Sequence, residues 1–243
     1  MPPEWFESWF DSPYYKLLYR HRDETEAAAF IKKLLEEIHL EKNARILDMP
    51  CGNGRHSVVM ASMGYTIVGA DLSARNIREA QENKNAQLNF IEHDMRDSLP
   101  VEDFDAVMNL FTSLGYFETE EENFSVMQSI AEALKPSGIL VIDFFNDVCV
   151  EKNLKYADNF QLENIAFTIE RKIENKKVLK QIHVKHGEKE FDFEERVQML
   201  ELADFEKYYS PFGLVTEKVF GDYQLNPFSK NSERLIIIAR KKK

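Results

Sequence analysis

Three aspartates, Asp48, Asp71 and Asp94, stand 23 residues apart, each at or just past the end of a short apolar run. The runs at Arg45–Asp48, Thr66–Asp71 and Leu88–Glu92 alternate with segments of helical period, the pattern of repeated βα units building a parallel sheet. Parallel strands put their carboxyl ends along one edge, and open α/β sheets bind ligands outside that edge. Three successive units that each deliver a carboxylate to one crevice are far harder to obtain by chance than any one of them. The spacing therefore predicts a binding cleft as well as a fold.

The pattern extends on both sides of these units. Phe30, Ile31, Leu34, Leu35 and Ile38 recur at helical spacing and predict an amphipathic helix beginning near Thr25. Further strands are expected over 104–110 and 139–144, with helices over 56–63, 74–84 and 123–134, the last closed by Lys135-Pro136-Ser137-Gly138. Beyond Phe145 the period changes. Segments 166–173, 178–185 and 190–197 read as antiparallel strands, the first two joined across Glu174-Asn175-Lys176-Lys177, and a helix over 200–209 leads to strands at 214–220 and 234–240. The expected architecture is α/β: a Rossmann-like sheet of seven strands, mostly parallel with an antiparallel last strand, plus a small antiparallel β insertion over 150–197. Residues 1–243 are read as one domain, in which 1–24 precede the sheet and the insertion covers the pocket. An edge extension or a homodimer contact is the plainer alternative for the insertion.

Composition narrows the partners. With 31 basic against 42 acidic residues the chain carries −11, which repels phosphate backbones and anionic lipid, so a small molecule is expected rather than nucleic acid or a membrane. The longest purely apolar run, Leu235 to Ala239, is five residues, whereas a spanning helix needs about twenty. The first residues lack a basic stretch followed by an apolar core, and Cys51 and Cys149 belong to no ligand pattern, so a reducing, cytoplasmic setting is expected. His183 and His186, three apart on a strand, point to opposite faces; no metal site is expected.

The chemistry concentrates in Ile46-Leu-Asp-Met-Pro-Cys-Gly-Asn-Gly-Arg-His56, where a strand ends at Asp48 and a glycine turn enters a helix. Glycines allow backbone to approach a ligand, and a helix start offers unpaired N–H groups. As a dinucleotide fingerprint the stretch gives Gly52-x-Gly54-x-x-Ser57, with Ser in the last glycine position, a mediocre match. Asp71 suits the ribose of either NAD or an adenosyl cofactor and does not choose between them. Asp94 favours the adenosyl reading, because a third carboxylate can accept from the exocyclic amine of adenine. His56, at the helix start, reads as a packing residue.

Taken together these segments resemble the class I S-adenosylmethionine-dependent methyltransferases. The first motif matches Ile46 to Gly54, the acidic second-strand end Asp71, the adenine-contacting aspartate Asp94, the fourth-strand motif Phe104 to Phe111, and Leu134-Lys-Pro-Ser-Gly-Ile-Leu140 the turn into strand five. Pro50 stands where many members have Gly. The resemblance implies S-adenosyl-L-methionine as cofactor. Asp48, Cys51, Gly52 and Gly54 would frame its methionine part, Asp71 and Leu72 the ribose, Asp94 and Met95 the adenine, and Asn109 and Leu110 the underside of the sulfonium. The segment Pro13 to Arg22 resembles the Tyr-rich N-terminal lid of amino-sugar N-methyltransferases, which implies that Tyr15, Tyr19 and Arg22 close over the cofactor. Phe111, Tyr116, Phe145 and Asn146 would form the acceptor pocket. The activity implied is methyl transfer to nitrogen or oxygen of a small molecule; a non-catalytic cofactor-binding module and an NAD-dependent dehydrogenase are the alternatives.

Overall fold

The computed structural model describes residues 4–20 and 24–243, with 24–27 by their backbone alone. Arg22 lies outside the described residues. Helices α1 (Trp5–Phe10), α2 (Pro13–Leu18) and α3 (Glu24–Ile38) lead into β1 (Arg45–Asp48), α4 (Arg55–Ser62), β2 (Thr66–Asp71), α5 (Ala74–Ala80), β3 (Leu88–Glu92), β4 (Phe104–Asn109), α6 (Glu120–Ala133) and β5 (Leu134–Phe145). Then follow α7 (Asp147–Asn153), β6 (Ala157–Leu162), β7 (Ile165–Glu174), β8 (Lys177–His186), β9 (Lys189–Gln198), α8 (Leu202–Tyr209), β10 (Leu214–Phe220) and β11 (Arg234–Lys241).

Seven strands form one sheet in the order β10-β11-β5-β4-β1-β2-β3. β1 to β5 pair in parallel, and β11 runs antiparallel to both of its neighbours. The central strands are apolar on both faces because helices cover both. Leu47, Leu140, Ile142 and Ile237 pack with α6 and α8, whereas Ile46, Val141, Ile236 and Ile238 pack with α3, α4 and α5. Strand alternation assigns neighbours to opposite layers.

β6 to β9 form a separate antiparallel meander. Asn175 and Lys176, with φ of 51° and 56°, make the two-residue turn between β7 and β8, and the strands pair from Glu174 opposite Lys177 onward. One face is polar. The other buries Ile165, Phe167, Ile169, Ile182 and Val184 against Trp9, Tyr14 and Leu18 of α1 and α2.

The structure shifts several expected boundaries. α6 starts at Glu120, three residues before the expected position, because Thr119 and Glu122 form a capping box. It ends at Ala133, and β5 begins at Leu134; Lys135 to Gly138 form an irregular lead-in where the register against β4 jumps. Neither α7 nor β6 was anticipated from the sequence. No described helix is long and apolar enough to cross a membrane.

Candidate active site

A cavity of about 1150 Å³ opens at the carboxyl edge of the large sheet. Its floor is the turn Met49 to Asn53 after β1, Asp71 and Leu72 at the end of β2, His93 to Met95 after β3, and Leu110 to Ser113 after β4. Its roof is α1 and α2 with β8 and β9, through Trp5, Phe10, Tyr15, Tyr19, Val178 and Glu195.

The turn after β1 is fastened from behind. The Cys51 amide donates to the Ala70 carbonyl at 2.8 Å, and the Gly52 amide donates to Asp71 Oδ2 at 2.8 Å. Gly52 has φ of 56°, and a β-carbon there would meet nothing within 4 Å, so its backbone faces open space. Gly54 serves differently: it caps α4 with φ of 84°, and a β-carbon would meet the Phe90 ring at 2.7 Å. Asp71 also accepts from the Ser73 amide at 2.9 Å. Burial pushes its carboxyl above the ordinary value, against the lowering effect of the Ser73 and Gly52 amides. A carboxylate oxygen carries two lone-pair sites, so Asp71 keeps capacity to accept from a diol at the cavity. Open backbone at Gly52 and a buried acid at the second strand end fit an adenosyl cofactor.

Two other strand ends turn inward. Asp48 is fully buried, takes the Ser57 hydroxyl at 2.5 Å on Oδ2, and leaves Oδ1 without a partner among the described residues. Burial pushes its pKa up to about 7, the Ser57 hydrogen bond opposing. Asn109, also fully buried, donates to the Met49 carbonyl at 2.9 Å. Asp48 thereby ties β1 to α4, and Asn109 ties β4 to the start of the turn. Asp94 does face the cavity, gripped by Arg96 through Nε at 3.1 Å and Nη2 at 2.7 Å. Burial would raise its carboxyl, but the Arg96 hydrogen bonds outweigh it and hold the group below its ordinary value. Arg96 also binds Glu4 and Glu122 at 2.9 and 2.7 Å, tying this corner to the N-terminal segment and α6.

His56 lines the cavity, and its ring stacks on Phe111 at 4.8 Å. Burial, with Arg55 adding, lowers its pKa to about 3, so it is a neutral imidazole at physiological pH. In the roof, Tyr19 donates to Glu195 Oε1 at 2.8 Å, Trp9 Nε1 donates to the same oxygen at 2.7 Å, and Lys180 donates to the Tyr19 hydroxyl and to Glu195 Oε2. Tyr15 lies between the Phe10, Trp9 and Tyr19 rings. Tyr116 donates to the Thr112 carbonyl.

The sequence matches the family described as a methyltransferase domain over residues 46–138. The protein YqeM of Bacillus subtilis (strain 168), assigned to the methyltransferases, is 30% identical over 224 residues, 85% of this chain and 88% of that protein. The chain belongs to the S-adenosylmethionine-dependent methyltransferases. An S-adenosylmethionine-dependent methyltransferase from Clostridium acetobutylicum ATCC 824 superimposes with a TM-score of 0.80 at 20% identity, covering 95% of this chain and 96% of that one. A dTDP-3-amino-3,4,6-trideoxy-alpha-D-glucopyranose N,N-dimethyltransferase of Streptomyces venezuelae is 32% identical over 132 residues, 53% of this chain and 54% of that protein.

In this methyltransferase the expected residues Cys51, Gly52, Asp71, Leu72, Asp94, Met95, Leu110, Tyr15 and Tyr19 line one cavity, with Phe111, Tyr116 and Phe145. Asp48, Gly54, Asn109 and Asn146 are not among the residues that line it. Asn146 caps α7 and donates to the Ser232 carbonyl at 2.7 Å, so its side chain is consumed by the loop before β11. The sequence reading also missed Arg234, which lines the cavity from the start of β11. The available signal was a cation standing directly before the apolar run Leu235 to Ala239.

Proposed function

We propose that this methyltransferase acts on a nitrogen or oxygen of a small molecule, with nitrogen the better supported. The cavity carries the reading: at about 1150 Å³ it exceeds the roughly 300–1,000 Å³ of an ordinary ligand pocket, which leaves room for an acceptor beside a cofactor. The N,N-dimethyltransferase named above supports nitrogen. The bound cofactor supplies an activated methyl group on a sulfonium. The chain's own residues then have to bind, orient and exclude water, so rate comes from proximity and desolvation. Gly52 and Cys51 would meet the methionine part, Asp71 the ribose, and Asp94 with Leu72 and Met95 the adenine side. Phe111, Tyr116, Phe145 and the roof would bound the acceptor. On this reading residues 4–20 and the β6 to β9 meander cover the site within a single domain. Tyr15 and Tyr19, the latter with its hydroxyl on Glu195 of the meander, would close over the cofactor.

Incubating the protein with methyl-labelled S-adenosylmethionine and fractionated small-molecule extracts tests the proposal. Label is expected in an amine of low molecular mass. Label only in protein or nucleic acid, or a bound cofactor that never turns over, would sink it.

A further inference from the structure

The loop after β4 holds two consecutive non-glycine residues in the left-handed region, Phe111 and Thr112, each with φ of 60°. Such backbone is costly for a bulky and a β-branched residue and persists only where the surroundings impose it. Asp143, fully buried on β5, imposes most of it: Oδ2 accepts the Phe111 amide at 3.0 Å and the Asp143 carbonyl accepts the Thr112 amide at 2.8 Å. Asp143 is held in turn by Arg234, whose Nε donates to Oδ1 at 2.8 Å and whose Nη2 lies 2.6 Å from the same oxygen. The same Nη2 donates to Thr112 Oγ1 at 3.1 Å. The Tyr223 hydroxyl completes the set, donating to Asp143 Oδ2 at 3.2 Å.

A buried ion pair seldom stabilises a fold more than apolar residues of the same volume would, so this one invites another explanation. The loop it grips supplies one. Phe111 and Thr112 both line the cavity, Phe111 lies against His56 from the floor and beneath the Arg55 guanidinium at 4.9 Å, and Tyr116 from the acceptor side reaches back to the Thr112 carbonyl.

We propose that Asp143 and Arg234 are positioning residues for methyl transfer, clamping the strained Phe111–Thr112 elbow as a fixed wall between the cofactor and acceptor sides of the cavity. Neither group reacts; both act through the elbow. The clamp needs the planar fork of arginine, since one guanidinium must meet Asp143 and Thr112 together, whereas a lysine ammonium can satisfy the charge of Asp143 alone.

Arg234→Lys separates the two roles. It keeps a cation opposite Asp143, so the thermal midpoint stays near that of the unsubstituted protein. The released elbow weakens binding of S-adenosylhomocysteine about tenfold by calorimetry, as expected when a wall of a preorganised site shifts by a fraction of an ångström. It also uncovers His56, whose imidazole then titrates closer to its ordinary value in a side-chain NMR series, a change that loss of a merely structural ion pair would not produce. Thr112→Val exchanges only the hydroxyl for a methyl, leaves the Asp143–Arg234 pair in place, and is expected to weaken the same binding about threefold. A folded Arg234→Lys protein with unaltered affinity, or with altered affinity but an unmoved His56 titration, overturns the proposal. Should that variant fail to fold, Thr112→Val decides, and unchanged affinity there overturns it equally.

Discussion

The turn after β1 and the helices α1 and α2 face each other across one cavity, yet one is held through its own backbone amides and the other by its side chains. The turn hangs on amide hydrogen bonds from Cys51 to the Ala70 carbonyl and from Gly52 to the Asp71 carboxylate, on strands that are covered by helices on both faces. The roof rests on the apolar face of the meander through Trp9, Tyr14 and Leu18 and on the main core through Phe6, with polar contacts at Glu195, at His186 and, through Glu4, at Arg96. Backbone geometry distributes its cost over many residues of the sheet. Docking through side chains concentrates it in a few residues, so roof and floor should respond differently to substitution.

The largest effect expected tests that concentration. Trp9→Ala removes a fully buried indole and its bond to Glu195, and should cost the docking of α1 and α2 about 3–5 kcal/mol. Hydrogen exchange would show α1 and α2 opening while β1 and β4 keep their protection; loss of protection throughout would mean that the two regions are one cooperative unit. Gly52→Val attacks the floor, placing a β-branched residue at φ of 56° in the space a ligand would occupy, and should weaken S-adenosylmethionine binding on the order of a hundredfold with the circular dichroism spectrum unchanged. Tight binding by that variant would reduce the turn to a structural connector.

A smaller change sharpens the contrast. Asp71→Ala removes charge-assisted acceptors and should weaken cofactor binding by about 1.5–3 kcal/mol in calorimetry, with the roof's exchange unaffected. The smallest effect concerns Asp48 beneath the floor. Its carboxyl is pushed up to about 7, so its contribution to stability is complete below the ordinary carboxylate value and is lost as pH rises through 7. Asp48→Asn should therefore gain on the unsubstituted protein in thermal midpoint as pH is raised from roughly 4 to 8. A constant difference across that range would contradict the buried, proton-retaining Asp48. His56, lowered to about 3, acts with the opposite sign: its contribution is present above its ordinary value and is lost as pH falls toward 3.

The floor was legible in sequence because it is local: each aspartate announces a strand end, and a glycine turn follows the first within a few residues. Which way each side chain points was not. β1 and β2 are buried on both faces up to Asp48 and Asp71, so no polar alternation distinguishes a cavity-facing Asp71 from an inward-facing Asp48. The same holds for Asn109 on β4. β6 escaped notice because its half-buried face holds only two apolar residues, Phe160 and Leu162, beside Asp158, too short a run for the period to reveal. Arg234 and Asp143 are 91 residues apart, and nothing short of the antiparallel pairing of β11 with β5 brings them together.

Trp9 and its partner Glu195 are 186 positions apart, and Tyr19 and Glu195 are 176 apart. On a ribosome, α1 and α2 emerge long before the strand that seats them. The βα units of 45–145 can pair with near neighbours as they appear, because closing short loops is fast and long-range closure is slow. During synthesis the nascent chain therefore exposes a Trp- and Tyr-rich amphipathic end with no seat to occupy, a stretch on which a chaperone can act until β9 arrives.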